Sequence, residues 1–224
     1  MYRLAHTWGF EDAVWNREGR EYKTRQMQAR LGPKGPAERG IASRAQLGYG
    51  ETTIGSLDAM IKVFQELSSG KFKLAPGYES RRREYLRVVE GMSFDSNSHF
   101  LDIGSGLGKS VLHLVMASGC RGTGIEIAKH RINQANEFLQ RLVEKREVPV
   151  WVGDRIRYDD TNAAASVRRP FAFGGEHPSH VFMFSRVFHE DDIRDIAKRL
   201  DLTDYKVVVC CVDGAQMKKG VFSL

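Results

Sequence analysis

Apolar residues along this chain recur with two periods, and their alternation predicts the fold. Over 56–68, Leu57, Met60, Ile61, Phe64 and Leu67 fall at helical spacing, which predicts an amphipathic helix closed by Gly70. A second helix is predicted over 79–90. Tyr85, Leu86 and Val89 lie on its inner side, and Arg81, Arg82, Arg83 and Arg87 on a solvated face. Short apolar runs at 101–103, 122–127, 148–152, 180–184 and 207–212 read as buried strands. Helical patterns at 109–118, 128–145 and 190–200 separate them, and 155–179 reads as polar and irregular around an apolar island at 171–175. Strand and helix in that order predict an α/β fold, a doubly wound and mostly parallel sheet with right-handed crossovers.

The first strand meets an unusual turn. Residues 100–108 read Phe-Leu-Asp-Ile-Gly-Ser-Gly-Leu-Gly, so one acid is followed by glycine at every second place. Glycine takes positive φ without a Cβ clash and lets a ligand approach the backbone. A phosphate-binding loop needs glycine five places before Gly108, where Ile103 stands. A dinucleotide fingerprint needs glycine where Lys109 stands. The pattern that fits is acid-x-Gly-x-Gly-x-Gly, the signature of S-adenosylmethionine-dependent methyltransferases of the seven-stranded, doubly wound type. About twenty residues further on, Glu126 ends the second strand and is the expected acceptor for two ribose hydroxyls. Asp154, placed by this reading at the end of a third strand over 148–152, is a candidate acceptor for an adenine amino group.

Composition narrows the picture. With 224 residues, 28% charged and 42% hydrophobic, the chain is expected to form one core at 99–224, preceded by a helical and basic extension at 1–98. Trp8, Phe10, Val14 and Trp15 give residues 1–15 enough apolar surface to dock as a short helix or hook. The net charge is +6, and the segment 16–46 alone holds eight basic residues against three acids. That segment reads either as a solvated linker or as a contact for a phosphate backbone. Cys120, Cys210 and Cys211 have no metal-ligand spacing, and His177, His180, His189 and Asp191 show no one-turn pairing within a helix, so no metal is expected. No apolar signal region opens the chain and no run is long enough to span a bilayer, so a soluble intracellular protein with no membrane partner is expected.

Further residues carry a resemblance. Tyr49-Gly50-Glu51-Thr52-Thr53, a helix, then 101–108 and Gly124-Ile125-Glu126 resemble the disruptor-of-telomeric-silencing ("Dot one") family, non-SET methyltransferases acting on a core lysine of histone H3, and among them the compact kinetoplastid members. The resemblance implies a nuclear enzyme that uses S-adenosylmethionine, works on histone H3 within the nucleosome and touches nucleosomal DNA through its basic N-terminal segment. It implies that Tyr49, Glu51 and Thr52, with Asp102, Gly104, Gly106 and Lys109, hold the methionine end of the cofactor. Glu126 would take the ribose, and Asp154 and Arg155 the adenine, Arg155 standing where the family has an aromatic. Tyr49, Phe184, Ser185 and Phe188 would line the lysine channel, where the family usually has Asn-Asn-Phe-Ala-Phe.

Only twelve residues follow Val212, so the last two strands of the fold are expected beyond the chain shown, or the sheet closes differently. Other readings of the same residues are a methyltransferase with another substrate, a nucleotide-triphosphate-binding enzyme using 104–110 with Asp213, and a nucleosome-binding module without catalysis.

Overall fold

The computed structural model describes residues 53–69, 93–184 and 188–210. The predicted helix over 79–90, the apolar segment 1–15, the basic segment 16–46, Tyr49, Glu51, Thr52, Ser185, Cys211 and Asp213 lie outside them.

The elements follow one another as α1 (Ile54–Ser68), β1 (His99–Ile103), α2 (Lys109–Ser118), β2 (Arg121–Ile125), α3 (Lys129–Glu144), α4 (Val150–Arg155), β3 (Ile156–Asp159), β4 (His180–Met183), α5 (Glu190–Leu200) and β5 (Val207–Cys210). All pairings among the described strands are parallel, in the order β3-β2-β1-β4-β5. The chain winds outward through β2 and β3, then returns past β1 to β4 and β5. The sheet is doubly wound, and its direction reverses between β1 and β4. Clefts for ligands form at the carboxyl ends of the strands at such a reversal.

Two apolar layers hold the sheet. On one face Leu57, Met60 and Phe64 of α1 pack with Phe100, Val111, Leu112, Val115, Ile132, Leu139 and Phe182. On the other, Leu101, Ile103, Ile125, Val181 and Met183 pack against Phe171, Ile196 and Leu200. Strands covered on both faces are near-continuous apolar runs, which is why periodicity finds β1 and β4 readily. Burying each such side chain contributes about 1.5–3 kcal/mol relative to exposure.

Local chemistry sets the helix ends. Thr53 Oγ1 accepts the Ser56 N–H at 3.2 Å and so caps α1. His189 Nδ1 accepts the Asp191 N–H at 3.3 Å at the start of α5. Glu190, Asp191 and Asp192 fill the first turn of α5 and Lys198 and Arg199 its last, matching the helix dipole.

The direction of α1 follows from its contacts. Phe64 packs edge-on against His180, the first residue of β4, at 5.0 Å between ring centres. Asp58, a turn and a half earlier, accepts from His113 Nε2 of α2 at 2.8 Å. Helix α2 starts at the carboxyl edge of the sheet, so α1 runs parallel to it and its capping residue Thr53 faces that edge.

One predicted element is wrong. The run 148–152 does not form the third strand: Val150–Arg155 is helix α4, entered from Pro149, and β3 lies at Ile156–Asp159, within the stretch read as irregular. Proline's fixed φ and missing N–H suit a helix entry, where the first N–H groups have no partner within the helix.

Candidate active site

The turn between β1 and α2 is left-handed at three places: Gly104, Gly106 and Gly108 have φ of 79°, 55° and 80°. A residue with a Cβ is strained there. Strand β2 anchors the turn, since the Gly104 and Ser105 N–H groups donate to the Ile125 carbonyl at 2.8 and 3.0 Å. The Gly108 N–H closes it on the Ser105 carbonyl at 2.8 Å. Gly104 remains exposed, so bare backbone faces the carboxyl edge.

Glu126 follows β2, and its side chain is buried against the turn. Its Oε2 accepts the Gly106 N–H at 3.1 Å, and its Oε1 accepts the Ala128 N–H at 2.9 Å. The Arg131 guanidinium lies 3.6 Å from Oε2. A carboxylate has about four acceptor positions, so both oxygens keep capacity for further donors. Two hydroxyls on adjacent carbons match that spacing.

Asp102 lies beneath the turn and accepts from the Ser110 hydroxyl at the start of α2. Burial pushes its pKa up to about 7; the Ser110 bond opposes that rise and the Glu126 charge adds to it. In the sheet, Asp102 pairs with Gly124 of β2, and Gly124 with Tyr158 of β3. A Cβ on Gly124 would stand 2.7 Å from both Ser105 Oγ and Tyr158 Cδ1. Only glycine admits that close packing. Ser105 Oγ itself is buried without a hydrogen-bond partner.

From the other side of the reversal, β4 delivers Phe184 and Phe188. The Phe188 ring stands over the turn, its Cζ 2.7 Å from where a Cβ on Gly104 would be. Phe184 is half-buried and packs against the α1–α2 face. Lys109 opens α2 beside Gly108. The fold therefore gathers Asp102, Gly104, Gly106, Lys109, Glu126, Phe184 and Phe188 along one edge.

Asp154 and Arg155 are the correction. Both belong to α4, which precedes β3 and so lies at the amino edge, opposite the glycine turn. Arg155 donates there to the carbonyl oxygens of Ser96 and Gly119, and its guanidinium sits 5.9 Å from the Trp151 ring centre. Neither residue reaches the site. The acids at the carboxyl end of β3 are Asp159, bonded by Arg157 Nε at 2.9 Å, and Asp160, 3.5 Å from Lys129 Nζ. Tyr158, buried against the turn with its hydroxyl donating to the Gly108 carbonyl oxygen, is the neighbour that sequence reading passed over. Its signal was the alternation Ile156, Tyr158 inside a run otherwise polar.

Among the described residues, no group of three or more His, Cys, Asp or Glu side chains is placed to hold a metal ion. No described helix is long and apolar enough to cross a membrane.

Comparison with known proteins finds a family in sequence. The model of the family described as "Histone methylation protein DOT1" matches residues 79–153, a segment that includes β1, the glycine turn, α2, β2, Glu126 and α3. No curated protein matches the chain. Among solved structures, an RNA methyltransferase from Salinibacter ruber in complex with S-adenosyl-L-homocysteine is 15% identical, at a TM-score of 0.41. The aligned region covers 72% of this chain and 76% of that one. The glycopeptide N-methyltransferase MtfA with S-adenosyl-L-methionine is 17% identical at a TM-score of 0.38, covering 47% and 42%. A methyltransferase from Thiobacillus denitrificans with S-adenosyl-L-homocysteine is 16% identical at 0.35, covering 61% and 50%. The chain thus spans half or less of the length of the last two, and likenesses of this size fix neither reaction nor substrate. The segment that carries the glycine turn and Glu126 is thus the part of the chain that resembles the DOT1 family of histone methylation proteins.

Proposed function

We propose that the protein is an S-adenosylmethionine-dependent lysine methyltransferase that acts on a core lysine of histone H3 in the nucleosome. The observation that carries the reading is the buried Glu126 carboxylate, held on the Gly106 N–H with acceptor capacity left on both oxygens. That arrangement suits a ribose diol. The family match over residues 79–153 supports histone as substrate.

The residues fit the cofactor by what they leave open. The exposed backbone at Gly104 and the buried acid Asp102 suit the methionine end. Glu126 takes the ribose, and Ile127, exposed beside it, offers an apolar flank for the base. Asp159 and Asp160 replace Asp154 as the acids within reach of an adenine amino group. Tyr49, Glu51 and Thr52 immediately precede Thr53, and we assign them to the methionine end as well.

Bound there, S-adenosylmethionine supplies a methyl group on a positively charged sulfur that leaves readily. The chain has to align the acceptor amine in line with that methyl and exclude water, effects able to contribute about 7–11 kcal/mol. Phe188, above Gly104, and Phe184, with Tyr49 and Ser185, are assigned to the channel that receives the lysine. An apolar channel disfavours the ammonium form and lowers the lysine pKa from its ordinary value of about 10.4. The basic segment 16–46 is assigned to nucleosomal DNA, and the nucleus is the corresponding location.

The test is methyl transfer from radiolabelled cofactor to recombinant nucleosomes, followed by mass spectrometry of the histones. Label on a lysine in the folded part of histone H3 supports the reading. Label on another histone or on nucleic acid shows a methyltransferase of different substrate, and no label with any of them rejects the activity.

A further inference from the structure

Tyr158 is buried against the end of the glycine turn, yet none of the chemistry above uses it. Its hydroxyl donates to the Gly108 carbonyl oxygen at 2.8 Å. The same oxygen accepts the first bond of α2, from the Leu112 N–H at 3.0 Å. One atom therefore joins the end of the glycine turn, the start of α2 and strand β3.

The space for this ring is made by two glycines. A Cβ on Gly108 would overlap the Tyr158 ring, and one on Gly124 would stand 2.7 Å from its Cδ1. Phenylalanine would fill the same volume, so packing alone does not call for the hydroxyl. Burial, with the Asp102 charge adding to it, pushes the hydroxyl's pKa up, and the group stays a neutral donor.

We propose that Tyr158 is a positioning residue for the cofactor seat: its hydroxyl fixes the Gly108 carbonyl and, through it, the course of the turn over 104–108. It touches no reacting atom. Its effect reaches the ligand through the turn, whose Gly106 N–H is held in turn by Glu126. The inference rests on the cofactor reading given above.

The test compares the full chain with Tyr158→Phe, which keeps the ring and removes one oxygen. The probe is S-adenosylhomocysteine, titrated by calorimetry well below the melting temperature, with thermal melts of both proteins recorded without ligand. The expected result is a Kd raised about three- to ten-fold, the equivalent of one neutral hydrogen bond, with both proteins fully folded. A lower melting temperature with an unchanged Kd overturns the proposal, because the hydroxyl then serves the fold alone. Absence of binding by the unmodified chain overturns the cofactor reading, and this proposal with it.

Hydrogen exchange of the unmodified chain decides the matter if Tyr158→Phe does not fold. The ligand is expected to slow exchange in both 104–112 and 156–159. Protection of the turn without any at 156–159 rejects the coupling through Tyr158.

Discussion

The guanidinium of Arg199 lies over the ring of Phe171, 3.9 Å from its centre. The two come from α5 and from the segment that connects β3 to β4. Arg199 also donates to three carbonyls of that segment: Nε to Arg169 at 3.1 Å, Nη1 to Ala163 at 3.0 Å and Nη2 to Pro170 at 3.4 Å. This crossover carries no described helix, so its backbone carbonyls need another donor once buried. One side chain supplies it, and the crossover covers the second face of the sheet next to the site.

Arg199→Met should therefore cost about 2–4 kcal/mol, since it leaves carbonyls without a donor and removes the stacking contact. Arg199→Lys should recover little, because an ammonium cannot reproduce the planar fork. Urea unfolding of the three proteins measures this. A loss below about 0.5 kcal/mol for the methionine variant, the size of an ordinary surface change, would contradict the clamp.

Gly124→Ala tests the packing beneath the turn. The added Cβ meets Ser105 and Tyr158 at 2.7 Å, and overpacking of that kind costs about 1–3 kcal/mol. Gly55, in α1, has open space where a Cβ would stand, with nothing within 4 Å. Gly55→Ala therefore serves as the control and should stabilise slightly. Melting temperatures should move in opposite directions.

Two buried groups give opposed pH dependences. Asp102 has its pKa raised from 3.8 to about 7, chiefly by burial. Its contribution to stability is complete below pH 3.8 and is lost as pH rises through about 7. His99 has its pKa lowered from 6.5 to about 4 by burial first and by Arg121 second. Its contribution is complete above pH 6.5 and is lost as pH falls through about 4. Relative to the unmodified chain, Asp102→Asn should gain stability steadily from pH 4 to 7, and His99→Gln should gain it from pH 6.5 down to 4. Parallel stability curves for all three proteins would refute these assignments.

Glu126→Ala should weaken cofactor binding by about 1.5–3 kcal/mol, the range for hydrogen bonds to a charged group. Glu126 also holds the Gly106 and Ala128 N–H groups, so Glu126→Gln is the companion, its amide NH2 facing one of those two donors. It keeps the shape and one acceptor oxygen and should lose less. Equal affinities for both variants and the unmodified chain would remove Glu126 from the site.

Much of the fold was legible because β1, β4 and β5 are short, largely apolar runs and β2 stands between two helical patterns. The glycine turn and Glu126 were legible for a related reason: their spacing is set along the chain. The third strand was misplaced because 148–152 has the composition of a strand, although Pro149 argues for a helix entry. Asp154 was assigned to the site with that strand and is lost with it. Tyr158 was hidden by its charged neighbours Arg157, Asp159 and Asp160. Arg199 was hidden by its place in the last turn of an amphipathic helix, where an arginine is ordinarily solvated. Strand order comes from pairings distant in sequence, so no local pattern contains it.

Calorimetric titration of the unmodified chain with S-adenosylmethionine, repeated in the presence of excess ATP, tests the central claim most directly. The account predicts one saturable site per chain whose affinity ATP leaves unchanged. No saturable binding, or displacement by ATP, would contradict it.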